Sequence, residues 1–173
     1  MKSIFLFFAL ITVYVIDAQE PVKKNSAYLE LGGAGMTFSV NYQRLFYQFS
    51  GNKLEARIGV GYFPLYVNNN PVFGTLNKLL GINYLHSLGN HHAEASFTTC
   101  IAETFDESVA RDKFSKTSYI FSPSLGYRYQ NFSKNSIVLK AAWAPMVSFY
   151  GISPETKKIF FKNYILLGIG YSF

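Results

Sequence analysis

The chain ends on a strand pattern that has to be hidden from water or given an apolar solvent. Phe173, Tyr171, Ile169, Leu167 and Ile165 fall on one face of that strand, and Ser172, Gly170, Gly168, Leu166 and Tyr164 on the other. A strand has period two, so the first set forms a continuous apolar and aromatic stripe. The opposite face becomes small or polar at its last positions. An exposed, unpaired edge of this kind promotes aggregation in water. Closing the sheet into a barrel removes the edge, and placing the barrel in a membrane gives the stripe a matching solvent.

Met1–Ala18 reads as a secretory signal peptide: Lys2 gives the positive start, Ile4 to Ile16 the apolar run, and Ala18 a small residue at the cut. That run falls short of the ~20 apolar residues a spanning helix needs. Residues 19–26 are then a short N-terminal segment, and residues 27–173 the barrel. The mature chain, roughly 155 residues, is one domain's worth. Charged residues make up 15% and aromatics 18%, with 13 Tyr and 17 Phe, more rings than a small soluble core readily hides. A barrel can seat them at the two membrane interfaces. The single cysteine, Cys100, excludes an internal disulfide framework and reads as a small buried hydrophobe.

A net charge of +6 invites a nucleic-acid partner. The lysines and arginines are scattered, with no basic stripe or recognised motif, so that partner is set aside. Anionic lipid headgroups are the better match for scattered positive charge on an exported chain.

Alternating segments follow one another along the chain. In Lys53–Phe63, Leu54, Ala56, Ile58, Val60 and Tyr62 oppose Glu55, Arg57, Gly59 and Gly61. Tyr119–Tyr129 and Ile137–Val147 repeat the pattern, and Met36–Phe46, Gly74–Leu85 and Ala93–Ala102 carry it more weakly. Connections near Tyr47–Asn52, His86–His91 and Gln130–Asn135 are short. Those near Pro64–Phe73, Glu103–Lys116 and Ser148–Phe160 are longer and hold most of the remaining charge. Such alternation is the habit of up-and-down membrane barrels, with short turns on one side and long loops on the other. For the parity to close, Ala27–Phe46 must go up and come down, and Gly32-Gly33-Ala34-Gly35 is the place to reverse. That predicts eight strands; the alternative is one long strand kinked at those glycines. Pro123 and Pro145 lie inside predicted strands, and each should cause a bulge or a local break. On the sixth strand, Tyr119 and Phe121 sit near one end and Tyr127 and Tyr129 near the other. Their separation projects to roughly 20 Å along the membrane normal, close to the ~25 Å apolar band of such barrels.

Glu30, Glu55, Arg57, Glu94, Arg128 and Lys140 fall on the face opposite the apolar stripe, three acidic and three basic. The interior of an eight-stranded barrel is just wide enough for its side chains, so balanced charges there should interlock as an ionic network. His86 beside Ser87, and His91 beside His92, raise the question of a hydrolase or a metal site. Adjacent residues on a strand point apart, so a shared metal is not expected, and the histidines read as a solvated turn. No residue is assigned as catalytic or metal-ligating, and no cofactor is implied.

The chain resembles the small eight-stranded outer-membrane barrels of the OmpA and OmpX type. The signal peptide, the dyad strands, the alternating connections and the Gly168-Ile169-Gly170-Tyr171-Ser172-Phe173 ending carry the resemblance. It implies a closed, antiparallel, up-and-down transmembrane β-barrel, monomeric and placed in an outer membrane among its lipids. It also implies that Ile169, Tyr171 and Phe173 are read by the barrel-assembly machinery. Some barrels of this architecture modify lipid A with a His and a Ser near the outer leaflet. Here His86 and Ser87 fall at the opposite end, and Ser108, Ser115 and Ser153 in the long connections have no histidine among them. The expected function is therefore non-catalytic, structural or exercised by loop binding. A lipid A-modifying enzyme and a soluble lipocalin-like barrel are the alternatives, the latter needing an apolar interior.

Overall fold

The computed structural model describes residues 22–67, 70–106, 116–150 and 158–173. The signal-peptide segment Met1–Ala18 and the loop serines Ser108, Ser115 and Ser153 lie outside them. The described chain is an antiparallel meander of eight strands closed into a barrel. These are β1 (Asn25–Leu31), β2 (Phe38–Phe49), β3 (Asn52–Val67), β4 (Asn70–Leu88), β5 (His91–Asp106), β6 (Lys116–Tyr129), β7 (Ser136–Tyr150) and β8 (Lys158–Ser172). Closure comes from β1 pairing with β8, in register from Ser26 opposite Ser172 to Leu31 opposite Leu167. Phe173 N–H donates to Asn25 O at 2.9 Å and finishes the seam. The barrel thus begins at Asn25, two residues before the boundary drawn from sequence.

The glycine reversal produces a hairpin and not a kinked strand. Gly33–Gly35 form a single 3-10 turn between β1 and β2. Gly32 and Gly33 take φ of +78° and +64°, a region that favours glycine, and a side chain at Gly32 would overlap the Ile165 carbonyl. The turn folds inward. Ala34 is buried in an apolar cluster with Leu79, Cys100, Ala102, Ile120 and Met146. At the end that holds Asn25 and Phe173, here the terminal end, Leu45, Leu85 and Phe132 form a second cluster, with Val22 packed against it. Lys23 N–H donates to Phe132 O and Leu45 N–H to Lys24 O, so the segment before β1 is strapped across that mouth.

The strands run longer than their sequence patterns. Pro64–Phe73 was expected as a long connection, yet Pro64–Val67 belongs to β3 and Asn70–Phe73 to β4. The ladder continues to Val67 opposite Asn70, taking up a register shift between Leu65 and Tyr66. Residues 68 and 69 between the two strands lie outside the described residues. The other two long connections are shorter than expected for the same reason: β5 reaches Asp106, and β7 reaches Tyr150.

The prolines act together. Phe121 pairs with Val147 and Leu125 with Trp143, with no pairing between them, and the register is the same on both sides of the gap. That register sets Pro123 directly opposite Pro145. Their other edges stay paired, Pro123 with Phe97 and Pro145 with Asn163. Two missing N–H donors therefore share one gap instead of causing two separate faults, and no bulge is needed. In hydrogen-exchange measurements on the folded barrel, the amides of Phe121 and Leu125, which border the gap, should exchange faster than those of Ile58 and Val60 in the unbroken β3 ladder. Equal protection would mean that the seam is as tight as its neighbours.

Candidate functional site

The lumen is the chemically distinctive part of the molecule. Residues at alternate positions project into it and build a charged layer between the two apolar clusters. Arg128 on β6 is its hub and is fully buried. Its Nε donates to Glu94 Oε2 at 2.6 Å and its Nη1 to Glu55 Oε2 at 2.7 Å. Nη1 also donates to Gln130 Oε1 at 3.1 Å, and Nη2 to Gln43 Oε1 at 2.8 Å. Lys140 on β7 reaches the other Glu94 oxygen at 2.8 Å. A second group lies beside it: Arg57 Nη2 donates to Glu30 Oε1 at 2.6 Å, and Arg57 Nε to Asn41 Oδ1 at 2.9 Å. Tyr28 joins the two groups, its ring 4.6 Å from Lys140 Nζ and 5.7 Å from the Arg57 guanidinium.

These contacts need room, and glycine supplies it at two positions. A β-carbon at Gly59 would overlap Asn41 Oδ1, the acceptor for Arg57. One at Gly170 would overlap the Cβ of Tyr28. The small residues that alternate with the outward stripe on β3 and β8 thus leave space for long side chains from neighbouring strands.

All six ionisable residues drawn from the sequence occupy this layer. The structure adds a fourth cation, Lys53, at the terminal end of β3. It is 7% exposed, yet its neighbours are the Ser87 hydroxyl at 2.8 Å and the Phe132 ring at 4.8 Å, with no carboxylate within ion-pair distance among the described residues. Its place could have been read from its spacing, since Lys53, Glu55 and Arg57 share one face. Its position beside a turn hid it.

The histidines diverge as their adjacency requires, but the solvated-turn reading fails for one of them. His91 is exposed and stacks near Tyr127 and Tyr129. His92 is 1% exposed. Its Nδ1 lies 2.8 Å from Ser87 Oγ and its Nε2 2.9 Å from Gln130 O. A carbonyl can only accept, so Nε2 carries the proton and Nδ1 accepts from the Ser87 hydroxyl. The Ser87 oxygen in turn accepts from Lys53, which occupies one of its two lone pairs. His86 is turned away, with Asn52 Oδ1 2.8 Å from its Nδ1. The pair that meets is therefore Ser87–His92, cross-strand neighbours in the β4–β5 register, and not the sequence neighbours His86 and Ser87. Among the described residues, no three potential ligands cluster as a metal site would require.

No family model matches the chain, and no curated protein does. Among solved structures it is similar to Ail, the attachment invasion locus protein of Yersinia pestis. The two share 10% identity and a TM-score of 0.44, over 87% of this chain and 99% of that one. The architecture itself, eight antiparallel strands closed up-and-down, is the one that the resemblance to the OmpA and OmpX type implied.

The exterior reverses the interior. Ile165 is 74% exposed, and Leu29, Val40, Ile58, Leu80, Leu125, Trp143 and Leu167 are each more than half exposed. Rings bracket this band: Tyr47 and Phe49 lie 5.4 Å apart at the terminal end, and Phe121 and Phe149 5.7 Å apart at the other. Ile169, Tyr171 and Phe173 all lie on the outer face.

Removing Arg128 would strand Glu55 outright and leave Glu94 with Lys140 alone. Breaking a buried pair from one side costs about 3–5 kcal/mol. Arg128→Ala should therefore lower unfolding stability in detergent by roughly that amount. Lys134→Ala, exposed on the β6–β7 turn, should change it by less than about 0.5 kcal/mol. Equal effects would show that the lumen charges are hydrated and uncoupled.

Proposed function

We propose that this chain is an integral outer-membrane barrel without catalytic activity, structural or acting through what its loops bind. The observation that carries the reading is the reversed surface: buried charges inside, exposed Leu, Ile, Val and aromatic residues outside. Contiguous apolar surface on this scale suits lipid, not water. Among the described residues no helix is long and apolar enough to cross a membrane, so strands would do the crossing. In this setting the terminal end faces the periplasm, and the barrel is a monomer solvated by outer-membrane lipid.

Two further features belong to the proposal. The charged layer, held between the inward-folded turn and the cluster of Leu45, Leu85 and Phe132, would block steady passage of ions. The outward Ile169, Tyr171 and Phe173 would be the element read by the assembly machinery. A lipid A-modifying enzyme is less well supported, because Ser87 and His92 lie at the terminal end, with His92 sealed. A soluble lipocalin-like barrel would need an apolar cup where Glu30, Arg57 and Arg128 sit.

The test is fractionation of the native cell, followed by reconstitution. The barrel should sediment with the outer membrane, and the purified protein should give no stable single-channel current in a planar bilayer. Recovery as a soluble periplasmic protein would overturn the location, and large steady currents the closed lumen. Deleting Phe173 should reduce the folded yield in cells far more than Ser172→Ala does. Equal yields would remove the terminal aromatic from any recognition role.

A further inference from the structure

The lumen charges do not balance. Among the described residues, the buried ionisable groups comprise the carboxylates of Glu30, Glu55 and Glu94 and the cations of Lys53, Arg57, Arg128 and Lys140. Each cation except Lys53 has a carboxylate within 2.8 Å. One positive charge is left over, and burying it uncompensated is costly.

That charge borders a cavity. An opening of about 430 Å³ at the terminal mouth is lined by Lys53 together with Gln48, Asn90, Asn131, Ser133 and the ring of Phe132. Three turns converge there: the β2–β3 turn brings Gln48 and Lys53, the β4–β5 turn Asn90, and the β6–β7 turn Asn131 and Ser133. Lys53 is held in place by Ser87, whose own proton is committed to His92, and by the face of Phe132. Only one of its three N–H donors is needed for Ser87. The buried Ser87–His92 pair thus gains a role as the bracket that aims an ammonium at the cavity. Among the described residues the buried Gln48 amide oxygen has no hydrogen-bond partner.

We propose that this mouth is a binding site for a phosphate group, with Lys53 as its counter-charge. An ammonium is a point charge suited to phosphate, and amides and a hydroxyl arriving from three turns suit an ion that accepts from several directions. A planar carboxylate would use fewer of them. The aromatic residues Tyr47 and Phe49 at the same end put the mouth near headgroup depth in the proposed membrane setting. The phosphate therefore has two sources of the same chemistry: a phospholipid headgroup or a free phosphate ester.

The test uses the full barrel purified in a phosphate-free detergent. Calorimetric titration with glycerol phosphate reads the soluble source. Native mass spectrometry after exchange into micelles containing phosphatidylglycerol reads the lipid source. Lys53→Met should weaken binding at least tenfold in whichever arm is positive, and Lys53→Arg should restore part of it. Lys134→Met removes an exposed charge near the same mouth and should leave binding unchanged. Circular dichroism and gel mobility confirm that each variant is folded, and Gln48→Ala serves as a second probe if Lys53→Met does not fold. Saturable binding in the first arm assigns a soluble ester, and retention in the second alone assigns a lipid headgroup. No binding in either arm, or equal losses with Lys53→Met and Lys134→Met, would overturn the site. The membrane location is read separately by fractionation, so failure here leaves that proposal standing.

Discussion

The guanidinium of Arg128 is the contact on which the interior depends. It is fully buried, and from β6 it reaches Gln43 on β2, Glu55 on β3 and Glu94 on β5. Lys140 on β7 then shares Glu94. One planar group with donors in a fixed fork thus ties strands on opposite sides of the wall, which a lysine could not do with the same geometry. The ladder hydrogen bonds hold each strand to its neighbours. The ionic layer holds the wall to itself across the lumen, and so favours a closed cylinder over a flattened one.

An interior of this kind dictates the rest of the sequence. If the lumen is filled by long charged side chains, the positions facing them must be small, which accounts for glycine at Gly59 and Gly170. If the hydrophobic residues do not line the lumen, they must face outward, which accounts for the stripe ending at Phe173. The two apolar clusters at the ends complete the scheme by keeping the charged layer between them, one around Ala34 and one around Phe132. A molecule built this way is most economical in a bilayer, where the outer surface needs no polar cover.

Much of this was legible in the sequence, because the strand period is two and the two faces differ so sharply in composition. The closed eight-stranded meander and the reversal at Gly32–Gly35 follow from alternation and parity. Other features had no local signal. The inward fold of the Gly33–Gly35 turn depends on what the opposite strands leave open, not on its own side chains. Lys53 and His92 sit beside turns, where polar residues are ordinarily solvated, and the ring of Phe132, which reaches both from the β6–β7 turn, helps to bury them. Pro123 and Pro145 looked like two separate faults. Only the β6–β7 register shows that they face each other, and register is a property of two segments, not of either one.

The central claim is that one molecule carries its charges inside and presents its apolar face to lipid. It is tested most directly by spin labels placed one at a time along β3 and β8, in a Cys100→Ser background, with the barrel in a bilayer. Labels at Ile58, Val60, Ile165 and Leu167 should relax strongly with oxygen, which partitions into hydrocarbon, and weakly with a water-soluble nickel chelate. A label at the exposed turn residue Gly89 should show the reverse. Strong relaxation by the nickel chelate at all five positions would mean that the apolar face is in water, and would contradict the account.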